Sequence, residues 1–334
     1  MSSGNYSKDK LCLLSLASRE GIGLQTLRKL MDGAAERDVP LAKLCQEPPS
    51  RLSRELGVRN AEASAVVAVS SPVREAERIL KELRRMHARA VFEGDVDYPP
   101  LLSRALAKLA PPVLFVLGDA RVLHRPCVGV SGSRTPSPAA QAAAGVFAAR
   151  EAAAGVTVVS GGAAGVDTIA HSEALDAGAT VFVPPVGLAR FEWRGTALKE
   201  LGDGRWCAVS HFPLDAGWKN AHALLRNRII VALGEALTGF DPRDRGGTWH
   251  SCRTALLLGK PLFVVSGAAE PAARRGLKRL LRLGAQQLDS DHMPTAHEFQ
   301  RLVREYRPPA KGLQAPLFGS SIERTDAEPP THSR

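Results

Sequence analysis

Between Val156 and His171 the chain reads VTVVSGGAAGVDTIAH: an apolar run, a glycine-rich turn and the first turn of a helix. Val156, Val158 and Val159 are β-branched, as suits a parallel strand covered on both faces. Gly161, Gly162 and Gly165 take away side chains where the chain turns sharply, so an approaching ligand meets backbone. Asp167 and Thr168 open a helix whose N–H groups carry partial positive charge and attract anions. Ser160 stands where the dinucleotide fingerprint GxGxxG has its first glycine, so that fingerprint is absent. Two readings remain for the segment: a phosphate or nucleotide site, or a tight structural turn.

Other segments are built of similar parts. Gly132-Ser133-Arg134-Thr135-Pro136 follows the apolar run CVGVS, where Ser133 and Thr135 suit a helix cap or a phosphate and Arg134 adds charge. In LLRNRIIVALGEALTGF, Arg226, Asn227 and Arg228 precede the apolar run Ile229 to Leu233, which predicts paired guanidinium groups at a helix start. The macrodipole disfavours cations there, and gripping a phosphate would offset that cost. FDPRDRGGTWHSCRTALLLGK turns at Gly246 and Gly247, with Thr248 or Ser251 as the cap of the next helix and Arg243, Arg245 and Arg253 around the turn. An ordinary capped loop and a ligand loop fit it equally. Arg274, Arg275, Lys278, Arg279 and Arg282 form a positive stripe opposite Leu277, Leu280 and Leu281, read either as a solvated face or as a phosphate track.

Several chemistries find no residues to carry them. His171 follows Asp167 by four positions, but no HExxH motif or cysteine partner accompanies them, so no metal site is expected. Neither a GxSxG elbow nor a P-loop GxxxxGK[ST] occurs, which leaves covalent catalysis and Walker-type ATP hydrolysis without support. No catalytic residue and no cofactor are expected.

The net charge of +10 favours polyanionic partners, nucleic acid before acidic membrane surfaces. Aromatics make up only 5% of residues, which argues against a broad base-stacking platform. Cys12, Cys45, Cys127, Cys207 and Cys252 are scattered without a CxxC pair, a pattern of reduced thiols rather than of disulfides or zinc. The N-terminus is polar, unlike a signal peptide, and no apolar run approaches the roughly 18 residues of a membrane span. A cytoplasmic protein without membrane contact is expected.

Positioning these loops requires alternating strands and helices. Strands are predicted at 113–117, 127–131, 156–160, 180–184, 207–210, 235–240 and 261–267, with helices between several of them. This pattern predicts an α/β fold, a doubly wound parallel sheet with ligands outside its carboxyl edge. Residues 1–92 are expected to form a small N-terminal helical domain without a convincing strand, 93–290 the α/β domain, and 291–334 a short helix and a disordered tail. The helices around Gly21-Ile22-Gly23 are similar to a helix–hairpin–helix, or form a small packing domain. Ser71 is a plausible cap for an amphipathic helix from Pro72 to Arg89.

Taken in order, DYPPLLSRALAKLAPPVLFVLGD, GVSGSRTPSP, VVSGGAAGVDTIAHSEALDAGATVFVPPVG, LLRNRIIVALGEAL and GKPLFVVSG resemble the DNA-processing protein A family (DprA, also called Smf) over residues 95 to 290. The resemblance implies an extended Rossmann-like fold that binds single-stranded DNA in a basic pocket. It implies a non-enzymatic mediator, dimeric in the family, that helps load a RecA-type recombinase during natural transformation. By matching position, Gly132, Ser133 and Arg134, Ser160 to Asp167, and Arg226 to Arg228 would line the pocket, with Arg245 and Lys278 as added basic contacts. The chain departs from the family in His211 after Ser210, in Arg245-Gly246-Gly247-Thr248, and in the little room after 290 for a winged helix. A nucleotide-sensing or nucleotide-hydrolysing Rossmann-like protein is the alternative, although no carboxylate stands where a phosphoribohydrolase needs one. In the tail, Gln314, Leu317 and Phe318 resemble a sliding-clamp-binding pentapeptide, or belong to a plain linker.

Overall fold

The computed structural model describes residues 6–69, 71–193, 196–197, 205–267 and 270–308. The chain opens with α1 (Lys8–Ala17), α2 (Leu24–Glu36), α3 (Leu41–Leu44), α4 (Pro49–Leu56), α5 (Asn60–Val67) and α6 (Pro72–Arg85). Next come β1 (Ala88–Phe92), α7 (Pro100–Leu106) and β2 (Val113–Gly118). Alternation begins with β3 (Cys127–Gly132), α8 (Pro138–Ala153), β4 (Thr157–Ser160), α9 (Val166–Ala177) and β5 (Thr180–Phe182). A two-residue pair, β6 (Glu192–Trp193) and β7 (Thr196–Ala197), precedes β8 (Trp206–Ser210). Then follow α10 (Asn220–Leu233), β9 (Ala236–Phe240), α11 (Gly247–Leu257), β10 (Leu262–Val265), α12 (Pro271–Arg282), β11 (Gln286–Gln287) and α13 (Ala296–Glu305).

The chain divides into two compact units, Met1–Arg125 with Val181–Arg226, and Pro126–Thr180 with Asn227–Arg334. In the first, the helices α1 to α6 accompany antiparallel strands, β1 against β2 and β2 against β8. Strand β1 lies in a region read as purely helical. His87, at φ 56°, breaks the helical course after α6, and four of the five residues that follow are buried. In the turn after α1, Gly21 takes φ 88° and Ile22 sinks into the core at 8% exposure. Ser71 holds the cap position of α6, but its side chain makes no capping bond; Pro72 opens the helix instead.

The second unit holds the parallel sheet that alternation predicts, in the order β4–β3–β9–β10–β11. Side chains alternate between its two faces. On one, Val128, Val130, Val158, Phe240 and Phe263 pack with Phe147 of α8, Ala170 of α9 and Phe299 of α13. The Phe147 and Phe299 rings meet edge to face at 4.8 Å, a favoured aromatic geometry. On the other face, glycines admit the helices closely. A side chain at Gly129 would press on the Ile230 carbonyl of α10, and one at Gly239 would strike the Cys252 sulfur of α11 at 2.6 Å. Helices on both faces make the unit doubly wound.

Candidate functional site

Because β4, β3, β9 and β10 are adjacent and parallel, the loops leaving their carboxyl ends share one edge of the sheet. The sequence-predicted glycine segments leave β3 and β4, and the structure interlocks them. Val166 N donates to Ser133 O at 3.1 Å. A side chain at Gly165, where φ is 80°, would sit 2.4 Å from that oxygen and 2.6 Å from Arg134 O. A side chain at Gly132 would strike Val166 at 2.4 Å. Glycine is required here both by conformation and by close approach.

Within these loops the polar side chains divide. Ser160 is wholly buried and its hydroxyl donates to Val130 O at 2.8 Å, which joins β4 to β3. Asp167 is 4% exposed and accepts from Ala163 N at 3.3 Å, folding the 161–165 turn back onto α9. Ser133 Oγ accepts from Thr135 N at 3.2 Å, and the cap of α8 is Ser137, not Ser133 or Thr135. Arg134 is exposed at the tip, and Gly162 and Gly165 are part-exposed. Backbone and Arg134 are therefore what this pair of loops offers to a ligand.

A buried carboxylate organises the edge. Asp241, directly after β9, is 4% exposed and adopts φ 47°. One carboxylate oxygen accepts from Ser137 N at 2.7 Å and the other from Gly267 N at 3.0 Å. A single side chain thus ties the loop after β3 to the loop after β10. The Asp-Pro pair at 241–242 marks a turn, but nothing in the sequence says which amides the carboxylate will hold.

Arg226, Asn227 and Arg228 require a correction. They lie in the middle of α10, not at its start, so the macrodipole exacts little there. Helix formation begins at Asn220, ahead of the apolar run used to place it. Arg226 and Asn227 are 7% and 5% exposed, whereas the neighbouring Leu225 is 38% exposed, an inversion of the usual order. Asn227 Nδ2 donates to Gly247 O at 3.3 Å, and Ser251 Oγ donates to the same carbonyl. This places Asn227 beside the first turn of α11. That helix is capped by Gly246, φ 93°, with no side-chain bond, so neither Thr248 nor Ser251 caps it.

The basic residues of α12 fall into two rows. Arg275 pairs with Asp244 at 2.6 Å and holds that carboxyl below its ordinary pKa. Arg279 lies over the Trp249 ring at 4.6 Å. Arg274, Lys278 and Arg282, each four residues from the next, are exposed on the other row. Arg245 is exposed in the loop against which α12 packs. In the first unit, Phe212 stacks on His222 at 4.1 Å, and Trp218 is 53% exposed on the loop leading to α10. A low aromatic fraction had hidden this local group. Gln314, Leu317 and Phe318 lie outside the described residues. Among the described residues no group of three metal-ligating side chains occurs, and no helix is long and apolar enough to cross a membrane.

A doubly wound parallel sheet with interlocked glycine loops at its carboxyl edge defines a Rossmann-like α/β protein. Residues 89–297 match the model of the DNA recombination-mediator protein A family, and the chain belongs to that family. It is 30% identical over 223 residues to protein Smf of Escherichia coli (strain K12), covering 65% of this chain; it spans 58% of that relative's length. The fold is similar to DNA processing protein A from Streptococcus pneumoniae, with a TM-score of 0.66, 23% identity, and coverage of 92% of this chain and 99% of that one. It is also similar to DNA processing protein A from Helicobacter pylori, a protein with a single-stranded DNA binding mode; the TM-score is 0.56 at 26% identity, covering 66% of this chain and 98% of that one.

Proposed function

We propose that this chain binds single-stranded DNA at the carboxyl edge of the parallel sheet and serves as a recombination mediator that passes the strand to a RecA-type recombinase. The observation that carries this reading is the interlock of the Gly132–Arg134 and Gly161–Gly165 loops. It presents backbone and an exposed arginine together, on strands where α/β folds receive anionic ligands. Membership of the mediator family and the single-strand binding of the Helicobacter pylori relative support it.

On this reading residues 93–290 form the DNA-binding part, Arg134, Arg228, Arg245 and Lys278 neutralise phosphates, and two copies act together as a dimer. Ser160, Asp167 and Asn227 shape the loops. The protein works by holding a strand rather than by changing covalent bonds. Fluorescence anisotropy of a labelled oligo-dT against a matching duplex, across a salt series, tests the proposal. Tight, salt-sensitive binding that prefers the single strand is expected; equal or absent binding overturns it.

A further inference from the structure

We infer that Cys12 and Cys45 form an oxidation site, at which a peroxide converts the two thiols into a disulfide tying α1 to the end of α3. The sequence separates them by 33 residues, and the fold brings their sulfurs to 3.9 Å, within hydrogen-bond reach of each other. A disulfide bond is about 2.05 Å long, so each sulfur needs to move by roughly 1 Å. Both are buried, Cys12 wholly and Cys45 at 6% exposure.

The surroundings set the order of events. Cys45 closes α3, a helix of four residues, and a single turn opens locally at small cost. The hydrogen bond with Cys45 holds the Cys12 thiol below its ordinary pKa, which favours the thiolate that attacks a peroxide. The Cys12 sulfur takes one peroxide oxygen, becomes a sulfenic acid and releases hydroxide. The Cys45 sulfur then attacks the Cys12 sulfur and expels the hydroxyl, which leaves as water with the Cys45 proton. In sum, two thiols and one peroxide give one disulfide and two waters. Elsewhere burial pushes the thiols of Cys127 in β3 and Cys252 in α11 up to about 12, which suppresses their thiolates. The closed loop would enclose α2 and the Gly21–Gly23 turn, and such closure restricts the unfolded chain.

The test exposes the full-length reduced protein to hydrogen peroxide, quenches it, and counts free thiols in denaturant alongside intact mass and a non-reducing peptide map. The expected result is a monomer that has lost two hydrogens and two titratable thiols, with the Cys12 and Cys45 peptides joined and both thiols restored by dithiothreitol. Cys12→Ser and Cys45→Ser should each lose no thiol pair under the same exposure. Retention of all five thiols, a bond that maps to other cysteines, or a Cys12-linked dimer would overturn the inference.

Discussion

The carbonyl of Ser133 is held by Val166 N at 3.1 Å and stands 2.4 Å from where a side chain on Gly165 would begin. Gly165→Ala therefore forces the two loops apart, and its φ of 80° adds backbone strain. A destabilisation of about 1–3 kcal/mol is expected, with a loss of single-strand affinity beyond what the lost stability explains. Urea unfolding and anisotropy on the same preparation check it. A stable variant with unchanged affinity would show that the interlock does not shape the binding surface.

Asp241 bridges two loops through both oxygens, so its replacements should differ in degree. Asp241→Ala leaves the Ser137 and Gly267 amides without their acceptor, at a cost of about 1 kcal/mol for each bond lost. Asp241→Asn keeps one acceptor oxygen and should lose roughly half as much. If alanine and asparagine destabilise equally in urea, the two-amide account fails.

The sequence made β3, β4, β9 and β10 legible because each is a short apolar run beside or containing glycine, as buried parallel strands allow, whereas β11 is the exposed polar pair Gln286–Gln287 and carries no such signal. The Gly161–Gly165 turn was legible for the same reason. Strand β1 was not: ARAVF is too short to outweigh the strong helical pattern of α6 before it. The apolar run Ile229 to Leu233 by itself puts Arg226 at a helix start. Here the polar residues are buried and Leu225 faces outward, so the pattern and the geometry disagree. Tertiary partners such as Asp241 with Gly267, or Cys12 with Cys45, leave no trace in spacing at all.

Exposed cations at the edge should contribute through counterion release. Arg134→Ala and Arg245→Ala should each weaken oligo-dT binding without changing sequence preference, and each should lower the slope of log affinity against log salt by about 0.7. Lys278→Ala tests the outer row of α12 in the same way. A variant whose affinity falls while its slope stays fixed would place that residue away from the phosphates.

Trp193, Trp206 and Trp249 are buried, at 7%, 5% and 7% exposure, whereas Trp218 is 53% exposed. Collisional quenching of the intrinsic fluorescence by acrylamide in water should therefore act mainly on Trp218. Strong quenching of the native protein is expected, and Trp218→Phe should remove most of it. Equal quenching in the variant would mean that a buried tryptophan is being perturbed instead.

Glu151 of α8 is 1% exposed, and burial raises its pKa from 4.5 to about 7. Gln300 of α13 donates to its carboxylate at 3.2 Å, beside the Phe147–Phe299 contact. Between pH 4.5 and 7 the folded state holds a proton that the unfolded state has lost. Stability therefore falls as pH rises through that window and levels off above it. Glu151→Gln keeps an oxygen for Gln300 and removes the charge, so its gain should be small at pH 4 and on the order of 3 kcal/mol at pH 8. Urea unfolding at the two pH values checks this. A gain of equal size at both would mean that the carboxyl is not the titrating group.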